Sequence, residues 1–258
     1  MQNLDVKDGQ MKKRTKKWGS LLLVALVVLA SLFLGNESLL NGLTGLGMSQ
    51  KSVRKLQALV GLGQGKYEPV KNSDYYILDD QGPLFSQEDL KPGKDWQTFS
   101  PLDSLNRVGP ANALIGPDSR PREKRGDISK VYPTGWKQKK YDFVDGQALY
   151  NRCHLIAHQL TGENDNWLNL MTGTRSFNKY GMLPLENIVA AYIRDTGGQV
   201  RYRVTPVFKD QEVLARGVIM EAASVDDGGK AVSFRAFVPN QEPGVALDYK
   251  TGRNHRAQ

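Results

Sequence analysis

The longest uninterrupted apolar pattern lies near the N-terminus. From Leu21 to Leu34 every position is apolar except Ser31. No polar face interrupts it, so the run does not read as a half-buried helix of a soluble core. Between Trp18 and Gly35 it extends over 18 residues, the lower edge of what crosses a bilayer as a helix. Lys12, Lys13, Arg14, Lys16 and Lys17 precede it, a bias that keeps the N-terminus in the cytoplasm and sends the rest of the chain across. Val28-Leu29-Ala30 offers residues suited to a signal peptidase, which would release a secreted form. The apolar run continues through Leu32-Phe33-Leu34, which favours a retained single-span anchor.

The pattern then divides the chain into a basic segment at 1–17, the anchor at 18–35, a linker or stalk at 36–66 and a globular domain at 67–258. Within the stalk, Val53, Leu56, Leu59 and Val60 would share one face of a short helix over 52–62. In the domain, Tyr75-Tyr76-Ile77-Leu78 is β-prone and is followed by turn residues. Residues 100–135 mix Pro, Gly and charge and predict loops and short elements. Ile188, Val189, Tyr192 and Ile193 predict a helix over 185–195, with Pro184 at its start and Gly197-Gly198 at its end. Residues 200–208 alternate as a half-buried strand does, with Arg201 and Arg203 on its solvated face. Residues 215–222 and 232–238 predict two more strands, joined at Asp226-Asp227-Gly228-Gly229. The class is α+β with a mainly antiparallel sheet.

Composition narrows the function. One cysteine excludes an intrachain disulfide framework and a multi-cysteine zinc site. The net charge is +8, with 35 basic and 27 acidic residues. Setting aside the five N-terminal positive charges leaves 30 against 27, so charge alone permits a polyanionic partner without requiring one.

Candidate chemistry concentrates at Asn151-Arg152-Cys153-His154, which holds one of only three histidines. His255 lies in a polar tail. A guanidinium near an imidazole suits phosphate chemistry: it can fork to phosphate oxygens, and its charge favours the neutral, basic ring. Downstream, amides and apolar residues interleave from Gly162 to Asn169 and from Thr172 to Asn178. Neutral oxygen ligands of this kind suit hydrated Mg²⁺. His154 and His158, four apart, could instead share a helical face and bind Zn²⁺, but the sequence offers neither the zinc-protease glutamate nor an evident third ligand.

These residues resemble the DNA/RNA non-specific endonucleases of the ββα-metal class, in particular the membrane-attached or secreted nucleases with which Gram-positive bacteria take up DNA. The similarity extends from Leu102-Asp103 through Pro133-Thr134-Gly135-Trp136, 149–187, Tyr202-Arg203-Val204-Thr205 and Val238-Pro239-Asn240 to 247–252, about 150 residues in chain order. The resemblance implies His154 as general base, Asn178 as the direct Mg²⁺ ligand (Mn²⁺ being the alternative) and Glu186 as the carboxylate holding metal-bound waters. It implies Arg152 as a phosphate contact and Asn169 as a hydrogen-bonding residue that shapes the site. An upstream arginine grips substrate in this family, here Arg125 or Arg107, and Arg175 is a further candidate for substrate contact. Two departures stand out. The family's Asp-Arg-Gly-His reads Asn151-Arg152-Cys153-His154, which removes an orienting charge at 151 and adds a side chain at 153.

The implied activity is sequence-tolerant, metal-dependent hydrolysis of DNA or RNA phosphodiesters outside the cytoplasm, with a DNA-uptake machinery as a partner. A membrane-tethered nucleic-acid-binding protein without catalysis is the alternative.

Overall fold

In the computed structural model, the structure describes Leu43, residues 74–78 and residues 82–258. The expected anchor at 18–35 and the short helix at 52–62 lie outside the described residues. Among the described residues no helix is long and apolar enough to cross a membrane.

The central element is a six-stranded sheet. In chain order its strands are β1 (Tyr76–Ile77), β2 (Trp96–Phe99), β3 (Ala111–Ile115), β6 (Val200–Val207), β7 (Gly217–Ser224) and β8 (Ser233–Pro239). Across the sheet the order is β1-β8-β7-β6-β3-β2, and every pairing is antiparallel. A separate hairpin pairs β4 (Tyr150–His154) with β5 (Leu170–Thr174). The helix α1 (His158–Thr161) lies between those two strands in the chain, and α2 (Leu183–Thr196) follows a π-helical segment at Phe177–Met182. A small ladder of β9 (Val245–Leu247) and β10 (Asn254–Arg256) completes the chain.

Alternation explains the main layer. Val200, Tyr202 and Val204 of β6 and Phe234, Ala236 and Val238 of β8 are buried in one cluster with Leu185, Ile188, Val189, Tyr192 and Ile193 of α2. Each such aliphatic burial contributes about 1.5–3 kcal/mol, which holds α2 across the sheet. Pro184 sits in the first turn of α2, where its missing N–H costs nothing. Gly197 ends it at φ 68° and donates its N–H to the Ile193 carbonyl. The turn between β7 and β8 is built on Asp227, whose carboxylate accepts from the N–H groups of Gly229, Lys230 and Ala231 at 3.0–3.1 Å.

The opposite face of the sheet departs from expectation. Arg201 is 5% exposed and Arg203 is half-buried rather than solvated. Arg201 stacks between the rings of Phe85 and Trp96 and donates to Asn112 Oδ1 at 2.9 Å. Arg203 pairs with Glu221, its direct partner across the ladder, at 2.6 Å. The segment from Leu84 to Trp96 covers them, with Leu84 N–H donating to Glu221 and Arg203 donating to the Leu84 carbonyl. Neither arginine forms a nucleic-acid face. The region 100–135 also contains more order than its composition suggests, because β3 lies inside the sheet between β2 and β6.

Candidate active site

His154 is the last residue of β4 and is 6% exposed. Its Nε2 lies 2.7 Å from the main-chain oxygen of Asn164. A carbonyl can only accept, so Nε2 carries the hydrogen and the neutral ring keeps its lone pair on Nδ1. Nδ1 faces the Arg125 guanidinium at 3.5 Å. Burial pushes the imidazole down to about 4, and the Arg125 charge pushes the same way against the opposing hydrogen bond to Asn164. The ring is therefore a neutral base throughout the physiological range.

Asn164 serves two neighbours at once. Its main chain fixes His154, and its side-chain oxygen accepts from the Gly126 N–H at 3.0 Å. A Cβ on Gly126 would come within 2.8 Å of that amide, so glycine is what lets the loop carrying Arg125 close over the histidine.

The expected oxygen ligands, Asn178 and Glu186, lie on the helical side. The chain leaves β5 and enters the π-helical segment, where Leu183 N–H bonds to the Asn178 carbonyl, five residues back. Asn178 and Glu186 are eight residues apart, which in a regular α-helix would rotate their side chains about 80° from each other. One extra residue in a π-turn makes the spacing act like seven and returns them to within about 20°. Both line one cleft of about 290 Å³ with Arg125, His154, His158 and Gln159. Glu186 is 7% exposed in the first turn of α2. Burial pushes its carboxyl up to about 8, although a Gln159 hydrogen bond and the Arg125 charge act in the opposite direction. Burial alone leaves Glu186 a neutral carboxyl at pH 7; a nearby cation would favour its charged form, and with the half-buried Asn178 amide oxygen it could serve a cation that keeps most of its waters. Among the described residues no group of three or more His, Cys, Asp or Glu side chains could hold a metal. His158 reaches the cleft but therefore lacks the further ligands a zinc site needs.

The other expected residues are distributed differently. Asn169 is fully buried and clasps Ile156, accepting from its N–H at 2.9 Å and donating to its carbonyl at 3.0 Å; this locks the chain just after His154. Arg152 does not line the cleft. Its Nε donates to the Val131 carbonyl and its Nη2 to the Ser129 carbonyl, while its guanidinium stacks on Trp136 and Tyr132. Arg175 pairs with Asp145, which also holds Lys179. Arg107 is bound to Asp103 and to the carbonyls of Asp210 and Glu212. Of the two upstream arginines, Arg125 is the one at the cleft.

The altered signature is accommodated by the pleat. Residues 151 and 153 point to the face opposite His154, so the amide at 151 takes no charge from the imidazole. Asn151 Nδ2 is buried without an acceptor. The Cys153 sulfur sits over Gly173, where a Cβ would come within 2.6 Å of it and within 2.4 Å of the Phe177 ring. Burial pushes the Cys153 thiol well up, so it is not a nucleophile. The orienting partner of His154 is a main-chain carbonyl, and no side-chain pattern could have revealed it.

The sequence profile of the DNA/RNA non-specific endonuclease family matches residues 89–226. The structure is similar to that of NucA from Streptococcus agalactiae with no metal bound, at 24% identity and a TM-score of 0.63, covering 81% of this chain and 98% of that one. It is also similar to the magnesium-bound form of NucA, at 24% identity and a TM-score of 0.61, with 81% and 97% covered. The Sda1 nuclease with bound zinc ion is 25% identical with a TM-score of 0.58, covering 72% of this chain and 98% of that one. With more than half its length under the profile and a nuclease fold around the cleft, the chain belongs to the DNA/RNA non-specific endonuclease family.

Proposed function

We propose that this protein is a divalent-metal-dependent endonuclease that hydrolyses DNA or RNA phosphodiesters with little regard for sequence. The observation that carries this reading is the meeting, in one cleft, of an unprotonated His154 Nδ1 with Asn178 and Glu186. The Asn178 amide oxygen would hold the cation directly, and Glu186 would accept from its waters. Magnesium is the first candidate, since NucA carries it, and the zinc in Sda1 makes metal preference a matter to measure. When bound, the cation neutralises charge on the phosphate and on the departing 3′ oxygen.

The chain's own groups do the rest. His154 Nδ1 accepts a proton from water as the water oxygen attacks phosphorus. Asn164 stabilises the resulting imidazolium through Nε2–H, in the orientation already set. Arg125 meets a phosphate oxygen and shields its charge from the attacking water. The P–O3′ bond breaks, the departing 3′ oxygen takes up a proton from solvent water, and a 5′-phosphate remains, as the family resemblance implies. Contacts of this type address the backbone rather than base edges, which accounts for sequence tolerance.

The basic and apolar segments before residue 36 support a cleft facing the outside of the cell, where incoming DNA is the natural substrate and an uptake machinery the natural partner. Protease treatment of intact cells should then remove the domain and leave the anchor.

The central test incubates purified full-length protein with plasmid and Mg²⁺, beside chelated and His154→Ala samples. Nicking and linearisation that require both the metal and His154 support the reading. Cleavage that ignores EDTA, or that survives the loss of His154, overturns it.

A further inference from the structure

A second cavity, of about 310 Å³, opens beside the hairpin and plays no part in the mechanism above. Its floor includes Leu170 and Met171 and its rim Tyr132 and Trp167. These rim residues are among the most exposed large side chains of the domain, at 60% and 51%. A pair of solvent-facing aromatics beside one recess is costly in water unless something covers them.

Three observations indicate what does. First, the recess is close to the reacting centre. Leu170 is the direct cross-strand partner of His154, about 5 Å away backbone to backbone. Trp167 follows Asn164, the His154 acceptor, by three residues, a span of at most about 11 Å. Second, the backbone that carries Trp167 and the ring of Tyr132 are both held in place. Trp167 lies within a turn closed by Asn166, which accepts from Leu168 N–H through its side chain and from Asn169 N–H through its carbonyl. Tyr132 is backed by the Arg152 guanidinium, 5.1 Å from its centroid, itself fixed on the carbonyls of Val131 and Ser129. Third, that guanidinium brings positive charge to the rim, with main-chain carbonyls as its hydrogen-bond acceptors and the Asp127 carboxylate nearby, which suits an anionic polymer better than an apolar peptide.

We infer that this recess is a nucleobase subsite: a base one or two nucleotides from the scissile phosphate leaves its stack and packs against Tyr132 and Trp167. Every base has a π-face, so such a site strengthens binding without imposing sequence. It also gives Arg152 a role as the positioning residue for Tyr132. The inference rests on the nuclease reading and extends it to the substrate's conformation, favouring single-stranded or locally opened strands.

The test uses the full-length protein in Mg²⁺ with single-stranded oligonucleotides cleaved at a defined linkage, either intact or carrying abasic sugars at the two nucleotides on each side. Wild type should cleave the intact strand with a kcat/KM roughly tenfold above the abasic strand. Tyr132→Ala and Trp167→Ala should lose that advantage while cleaving the abasic strand as wild type does, and Tyr132→Phe and Trp167→Phe should keep it. Equal cleavage of both strands by wild type, or variants that slow both strands alike, overturns the subsite. Absence of all cleavage by wild type strikes the nuclease reading instead.

Discussion

Two buried polar clusters, one on each side of the sheet's core, use similar residues to opposite ends. On the covered face, Arg201, Arg203, Arg235 and Glu221 are matched to one another, to Asp89 and to main-chain groups. In the cleft, His154, Glu186 and Arg125 include two groups pushed far from their ordinary protonation and no carboxylate–guanidinium bond. The first cluster holds two layers together. The second carries buried polarity that is not neutralised internally, the condition under which a site can act on something external.

The contrast can be broken most sharply at His154. His154→Ala should lower kcat about a thousandfold while leaving the urea midpoint at pH 7.5 the same or higher, since a buried polar ring is removed. The acid side of the wild-type pH profile extends the point. Because the folded imidazole resists protonation down to about 4, His154 itself should cause no loss of kcat/KM at pH 6, where an ordinary histidine would be about three-quarters protonated. Stability runs the other way: between about 6.5 and 4 the unfolded chain takes up a proton that the folded one refuses. Stability should therefore fall on acidification across that window and level off below it. A urea series from pH 7.5 to 3.5, compared with His154→Gln, isolates the contribution; a flat difference would contradict it.

Glu221→Gln tests the other cluster. Removing this charge leaves Arg203 and Arg235 partly buried without their shared partner, and should cost about 3 kcal/mol in chemical denaturation with specific activity of the folded fraction unchanged. Arg125→Ala should show the reverse, lowering kcat/KM about thirtyfold with little loss of stability and a shallower dependence of binding on salt. The smallest effect is expected at Asn164→Ala, which keeps the carbonyl on His154 but frees the loop from its Gly126 latch. KM should rise about fivefold with the pH profile unmoved; a shifted profile would mean that the side chain, not the main chain, orients the imidazole.

The elements legible in the sequence were those whose own residues carry the signal. Pro184 and Gly197 bracket α2, and the alternation of β8 matches its burial. Three features were not legible, each for a physical reason. Alternation in β6 marks Arg201 and Arg203 as a polar face but cannot reveal that Phe85 and Trp96 arrive from 105 or more residues earlier to cover it. β3 is five residues long, rich in alanine and bounded by Pro110 and Gly116, so nothing in its composition separates it from loop. The π-turn that brings Asn178 to the side of Glu186 has no local code. For the site, the sequence placed His154 and the amides by resemblance, while the Asn164 carbonyl and the diversion of Arg152 away from the cleft depend on how distant backbone folds around them.

The sulfur lodged over Gly173 has a further consequence. The Cys153 sulfur and the Phe177 ring together fill the volume into which a side chain at 173 would extend. An alanine at 173 should therefore destabilise the hairpin even alongside glycine at 153, because the Phe177 ring alone would lie 2.4 Å from its Cβ. The side chain added at 153 is thus accommodated because the neighbouring strand carries glycine at 173.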